Sequence, residues 1–308
     1  MRVIFAGTPE VALPTLEALH SSPHQVVAVL TREDAPVGRK RIMTPSPVAA
    51  WADQQQIPVV RANRISDSVT DALRAFDANL GVVVAYGGLL PQPALEALPL
   101  GWINLHFSAL PQWRGAAPVQ WQLISGANSV STSVFQLVAE LDAGDILSVV
   151  DQSVYPWETA DDLLKRLAEL GAQQVLGVVN DLAIGDARAQ PQRGVASFAP
   201  KLSRADGLLN PWQAAHDVFS RFRGVTTEPG AWLSFRGESL KISGMSDVPE
   251  APQLTAGQLA MAGKSVWLGT ATHALRLDTV QPAGRSVMQA VDWFRGVQDP
   301  ESACVDVA

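Results

Sequence analysis

The chain is short of several features that would fix its class at once, and each shortage removes a possibility. Its 308 residues include one cysteine, Cys304. A single thiol cannot form an intrachain disulfide, so a disulfide-stapled secreted fold is excluded and a reducing, cytoplasmic setting is expected. No apolar run approaches about 18 residues, so no bilayer crossing and no membrane partner are expected. The opening "MRVIFAGTPE" is too short in apolar residues for a signal peptide and reads as a first buried strand. One glycine, Gly7, follows that strand where a dinucleotide-binding fingerprint needs three, which argues against a nicotinamide enzyme. No His, Cys, Asp and Glu cluster has metal-ligand spacing, so no metal is expected. Positive charge is also scarce, since 23 Lys and Arg face 30 Asp and Glu for a formal net charge of −7. That balance argues against a protein that coats nucleic acid and leaves room for a local basic patch.

Charge is unevenly spread. Residues 1–188 hold 12 Lys and Arg against 19 Asp and Glu, whereas residues 189–308 hold 11 of each. The acidity therefore lies entirely in the first part. There, apolar runs at Val3–Ala6, Val26–Leu30, Val82–Ala85 and Ile103–Leu105 alternate with helix-like segments Pro14–His20, Val48–Gln55 and Ser68–Phe76. Continuous apolar runs mark strands covered on both faces, so the pattern predicts an α/β, doubly wound, Rossmann-like parallel sheet. "STSVFQLVAELDAGDILSVVDQSV" predicts two strands joined by an acidic loop, and Leu163, Leu164, Leu167, Leu170, Val175 and Val178 form an apolar helical stripe within 158–182.

Residues 189–206 mix Gly, Pro, Ser and charge without periodicity and read as a linker. A catalytic domain over 1–188 and a second domain over 207–308 follow. The second has a helical segment at Pro211–Phe222 and short strand-like pieces at Ala231–Phe235, Leu240–Ile242, Val266–Leu268 and Leu275–Leu277, which predict a small OB-like β-barrel. On this contiguous division a fragment ending near Gly194 should fold by itself.

Four stretches carry candidate chemistry. In "GWINLHFSALPQWRGAAPVQW" the side-chain period of two puts Asn104 and His106 on one face of a strand at its C-terminal tip, a customary place for α/β active sites. Asp142 in "LDAGD" supplies a carboxylate on a loop able to approach another loop. Such a set, with no nucleophilic cysteine nearby, favours acyl transfer without a covalent enzyme intermediate. Arg39, Lys40 and Arg41, in a Gly/Pro-punctuated loop, form a candidate phosphate clamp. Tyr86 and Gly87 close a buried strand and suggest a backbone-lined slot for a flat heterocycle.

"INLHFSALPQWRGAAPVQW" together with "LDAGDIL" resembles the formyltransferase family that uses 10-formyltetrahydrofolate, and "WRGAAPVQ" with the "GR" loop and "PSPV" is most similar to its methionyl-tRNA-formylating members. The resemblance spans nearly the whole chain. It implies Asn104, His106 and Asp142 as the catalytic trio, Ser108, Ala109, Leu110 and Pro111 as a folate-binding segment, and Arg39 as a contact to the initiator tRNA acceptor end, with the second domain binding tRNA. Ala109 replaces a usual Leu, Gln112 a usual basic residue, and "VTTEPGAW" a usual "FNPWPGAW"-like stretch.

The implied reaction is attack by the α-amine of initiator methionyl-tRNA on the formyl carbon of 10-formyltetrahydrofolate, releasing tetrahydrofolate, in support of translation initiation. In it Asn104 and His106 would donate to the oxyanion while Asp142 orients His106 and handles the proton. A cytoplasmic monomer without a metal is expected. The alternatives are a formyltransferase acting on glycinamide ribonucleotide or an amino sugar, or a non-catalytic folate- or tRNA-binding module.

Overall fold

In this computed structural model the described residues are 1–38 and 40–307, and they form two compact units. The units are not contiguous in sequence. One comprises residues 1–115, 130–152 and 164–198, and the other 116–129, 153–163 and 199 onward.

The first unit contains β1 (Arg2–Gly7), α1 (Leu13–His20), β2 (Gln25–Thr31), β3 (Ala35–Val37), β4 (Ile42–Thr44), α2 (Pro47–Gln54), β5 (Val59–Arg61), α3 (Asp67–Arg74), β6 (Leu80–Val84), α4 (Gln92–Leu95) and β7 (Trp102–His106). After α5 (Pro118–Ile124), it resumes with β8 (Ser129–Gln136) and β9 (Ile146–Ser153), and it includes most of α6 (Ala160–Ile184). Seven strands make one sheet in the order β5-β2-β1-β6-β7-β8-β9. Strands β5, β2, β1, β6 and β7 pair in parallel, and β8 reverses against β7. The order runs outward from β1 in both directions, so the topological switch lies between β1 and β6, as the doubly wound reading requires.

The apolar runs explain these strands, because β1, β2 and β6 are buried along nearly their whole length. Helices α2 and α3 begin where Ser46 and Ser66 accept hydrogen bonds from the backbone amides of Ala49 and Val69, and Pro47 sits in the first turn of α2. On α6 the predicted stripe holds at Leu163, Leu167, Val175 and Val178, which are buried, while Leu170 is exposed. The expected basic loop is in part a hairpin, β3 pairing antiparallel with β4.

The second unit adds α7 (Ala215–Val225), β10 (Ala231–Phe235), β11 (Glu238–Ser246), β12 (Leu259–Ala262), β13 (Ser265–Leu268), β14 (Leu275–Pro282), β15 (Met288–Gln289) and α8 (Ala290–Phe294). Its strands form an antiparallel sheet in the order β10-β11-β14-β13-β12, with β15 on β14. Register shifts at Ile242/Gly244 and Gly244/Met245 bend β11, and the sheet curls, barrel-like, over a core of Leu233, Leu240, Ile242, Val266, Leu275 and Val280. Helix α5, early in the sequence, belongs to this core. Its Ile124 packs against the cluster, and a Cβ on Gly224 of α7 would lie 2.6 Å from Ile124 Cγ1. A cut near Gly194 would strip α5 of that partner and expose apolar surface, so the structure argues against a free-standing fragment of the contiguous kind.

Candidate active site

Strand β7 sets the geometry. Leu105 turns toward α6, where a Cβ on Gly171 would come within 2.6 Å of Leu105 Cδ2. Alternation then directs Trp102, Asn104 and His106 to the opposite face. Trp102 is wholly buried and donates its indole N–H to Ala94 O at 2.8 Å, which anchors the start of the strand.

His106 is buried and meets the edge of Phe135 at a centroid distance of 6.3 Å. Its Nε2 lies 2.9 Å from Trp113 O. A carbonyl can only accept, so Nε2 carries a proton, and in the neutral ring Nδ1 then carries the lone pair. Nδ1 faces Asp142 Oδ2 at 3.9 Å. Burial pushes the imidazole pKa below its ordinary value, against the opposing pull of the Asp142 carboxylate and of the Trp113 carbonyl. The resting ring is therefore neutral. It has no Nδ1 proton to offer an oxyanion, which differs from the donor role expected of it, and it stands ready to accept one.

Asp142 is buried in the left-handed region at φ 47°, and its Oδ2 accepts from Gly115 N at 2.8 Å. Short polar side chains tolerate that conformation best. Asn104 differs from both neighbours, because its Oδ1 is buried with no hydrogen-bond partner among the described residues. Leaving such an acceptor unpaired costs about 1–3 kcal/mol, which makes Asn104 a candidate to meet an N–H or O–H of a ligand.

The segment after β7 is locked from behind. Ser108, Leu110 and Pro111 are buried and Ala109 is partly open. Ser108 Oγ donates to Gln112 O and Ser133 Oγ donates to Ser108 O, both at 2.6 Å. Side chains here shape a turn, so a ligand would meet chiefly backbone and Ala109.

The side chain of Tyr86 turns into the core. The residue is 1% exposed, its hydroxyl donates to Ala62 O at 2.6 Å and its carbonyl accepts from Thr8 Oγ1 at 2.8 Å, so the ring serves the core. Gly87 adopts φ 78° with open space where a Cβ would stand. Lys40 and Arg41 are exposed in the turn between β3 and β4, and Arg39 lies outside the described residues. Among the described residues no group of three or more His, Cys, Asp or Glu could hold a metal ion, and no helix is long and apolar enough to cross a membrane.

Sequence reasoning misses part of this neighbourhood. The segment that reads as a linker folds back on the site, with Ser197 Oγ accepting from Trp113 N at 2.9 Å, Ser197 O accepting from Arg114 N at 2.9 Å, and Gln192 bonded to Asp142 O at 2.8 Å.

Comparison with known proteins decides the family. The profile described as "Formyl transferase" matches residues 1–179, and "Formyl transferase, C-terminal domain" matches 201–298. The chain belongs to the formyl transferase family. It is 50% identical over 296 residues to a methionyl-tRNA formyltransferase of Leifsonia xyli subsp. xyli, covering 96% of this chain and 97% of that protein. With its counterpart in Paenarthrobacter aurescens it shares 46% identity over 301 residues, covering 98% of each. Among solved structures, the methionyl-tRNA formyltransferase from Clostridium thermocellum shares the fold at a TM-score of 0.59 and 15% identity, over 80% of this chain and 94% of that one. An N-formyltransferase from Helicobacter canadensis, solved with folinic acid and dTDP-3-aminofucose, aligns at a TM-score of 0.69 and 15% identity over 91% and 98% of the two chains. This formyl transferase thus matches its curated relatives along nearly its full length.

Proposed function

We propose that the chain transfers the formyl group of 10-formyltetrahydrofolate to the α-amine of initiator methionyl-tRNA, the reaction that the names of its full-length relatives describe, in support of translation initiation. The observation that carries the reading is an Asn104 with an unpartnered buried Oδ1, able to accept from an amine N–H while its Nδ2 donates, on the strand that ends in the buried His106 and Asp142 pair.

The amine lone pair attacks the formyl carbon, an N–C bond forms, and the carbonyl π pair moves onto oxygen. Asn104 Nδ2 donates to that oxygen, an interaction whose removal typically reduces rate by about 10²–10³. The attacking nitrogen becomes an ammonium, and one of its protons passes to the neutral His106 Nδ1. The imidazolium so formed lies beside the Asp142 carboxylate, which stabilises it without itself being protonated. Collapse of the tetrahedral adduct breaks the bond from the formyl carbon to the folate nitrogen, which leaves with its electron pair and takes the proton held by His106. Products are formylmethionyl-tRNA and tetrahydrofolate, and the balance requires no metal or redox group.

Ser108, Ala109, Leu110, Pro111, Tyr86 and Gly87 are assigned to the folate side, through backbone and Ala109 rather than through the Tyr86 ring. Arg39, Lys40 and Arg41 are assigned to tRNA phosphates. The C-terminal part of the chain, whose residues 189–308 hold 11 Lys and Arg against 11 Asp and Glu, is assigned to tRNA capture. The working enzyme is assigned as a monomer, and the free Cys304 thiol fits a reducing cytoplasm. Incubating the protein with 10-formyltetrahydrofolate and, separately, charged initiator tRNA, free methionine, glycinamide ribonucleotide or a nucleotide-linked amino sugar tests the reading. Formylation of methionyl-tRNA alone is expected, and transfer only to a small amine overturns it.

A further inference from the structure

Gln192 stands in a Pro- and Gly-punctuated segment without periodicity, yet its amide is fully engaged with the Asp142 loop. Nε2 donates to Asp142 O and to Gly144 O, each at 2.8 Å. Oε1 accepts from Arg114 Nη2 at 2.8 Å, and Arg114 Nη1 reaches Glu140 Oε1 at 3.0 Å. Gly115, next to Arg114, donates its amide to the Asp142 carboxylate. Three distant stretches of sequence thereby converge on the Asp142 loop.

The loop needs that support at one place. Its far end is fixed, because a Cβ on Gly144 would lie 1.7 Å from Gln136 O, which leaves that residue no room to change. Asp142 itself holds a left-handed conformation that the chain would otherwise relax. Relaxation there swings the carboxylate relative to His106 Nδ1. Gln192 grips the Asp142 carbonyl and so opposes that rotation. Arg114 holds Gln192 in turn, and its buried Nε has no partner, so this guanidinium is held only through its Nη atoms. Only a side-chain amide can give two hydrogen bonds to the carbonyls and take one from the guanidinium.

From this arrangement the geometry points to Gln192, with Arg114, as positioning residues that aim the Asp142 carboxylate at His106. The assignment rests on the formyl-transfer reading for its effect on rate, and on the hydrogen bonds alone for its effect on His106. It makes a stretch with the composition of a linker part of the active site's support.

The test compares the full-length protein with Gln192→Ala, Gln192→Glu and, as a neighbour, exposed Arg193→Ala. Two readouts are taken: steady-state formyl transfer to charged initiator tRNA, and the pH titration of the His106 ring followed by NMR. Misplacement of a catalytic group by about 1 Å can lower rate as much as 10²-fold, so Gln192→Ala is expected to lose about 10- to 100-fold in kcat with both KM values within about threefold. Its His106 midpoint should move further down, because the carboxylate that favours the imidazolium has turned away. Gln192→Glu keeps the acceptor for Arg114 but sets oxygens against two carbonyls, so it should behave likewise, and it carries the test if Gln192→Ala does not fold. Arg193→Ala should match the parent in both measurements. A kcat within about threefold of the parent overturns the proposal, and so does a reduced kcat with an unmoved His106 midpoint, which marks a purely structural tie. A parent protein that transfers no formyl group defeats the reaction reading instead, while the His106 titration still decides the positioning role.

Discussion

The strand tip at Asn104–His106 and the β3–β4 hairpin carry the two groups of polar residues assigned to substrate, and they are built in opposite ways. At the tip, His106 and Asp142 are buried and fixed through Trp113, Gly115 and Gln192. On the hairpin, Lys40 and Arg41 stand exposed between short strands whose Val37, Ile42 and Met43 are also more than half exposed. The contrast follows from the work each place is given. Stabilising a transition state needs groups aimed within fractions of an ångström in a dry setting, whereas holding a phosphate backbone needs only mobile charge.

The largest effects should come from breaking the fixed side of this comparison. Asp142→Asn keeps shape and removes the charge that stabilises a His106 imidazolium, so kcat should fall by about 10²-fold or more while folate affinity changes little. Asn104→Ala should fall by about 10²–10³ for a different reason, the loss of the oxyanion donor. Single-turnover kinetics at saturating substrate checks both, and a near-normal rate in either removes that residue from the chemistry.

An intermediate effect belongs to the exposed side. Lys40→Ala with Arg41→Ala should raise KM for tRNA several-fold and leave folate binding alone. The slope of log affinity against log salt should flatten by about one unit for each phosphate that the altered loop no longer neutralises. Titration of tRNA binding at several salt concentrations measures it. An unchanged slope returns these residues to a merely solvated turn.

The smallest effect is on stability and again separates the two places. Since burial lowers the His106 pKa from its ordinary 6.5, the unfolded chain binds more protons than the native one between the lowered value and 6.5. Stability contributed by the neutral ring is therefore fully present above that ordinary value and is lost as pH falls from it toward the lowered one, with a slope of at most about 1.4 kcal/mol per pH unit. Urea unfolding at pH 7.5 and 5.5 should show a smaller loss in His106→Gln than in the parent, and an equal loss denies the ring that burden.

How much of this is readable from residues alone differs by the kind of signal. Strands β1, β2, β6 and β7 are legible because burial on both faces writes a continuous apolar run, and Asn104 and His106 are legible because a strand's period is two. The direction of the Tyr86 ring is not legible, because an aromatic at a strand end has the same signature whether its ring enters the core or a ligand slot. Helix α5 gives no sign that its apolar side belongs with residues a hundred positions later, so the contiguous division at 188 places it with the wrong neighbours. Gln192 leaves no trace in the sequence, because a polar side chain in coil carries no period and its meaning lies wholly in which carbonyls it reaches.

The unpaired Asn104 amide has a further consequence. A protein that keeps a polar group unsatisfied while waiting is less stable empty than it could be, and the deficit is recovered when an N–H or O–H of the substrate arrives to donate to Asn104 Oδ1. Affinity for the reacting group is thus stored beforehand as native-state frustration. Evolution toward a sturdier fold would fill this position with an apolar side chain, and the sturdier protein would be the poorer catalyst.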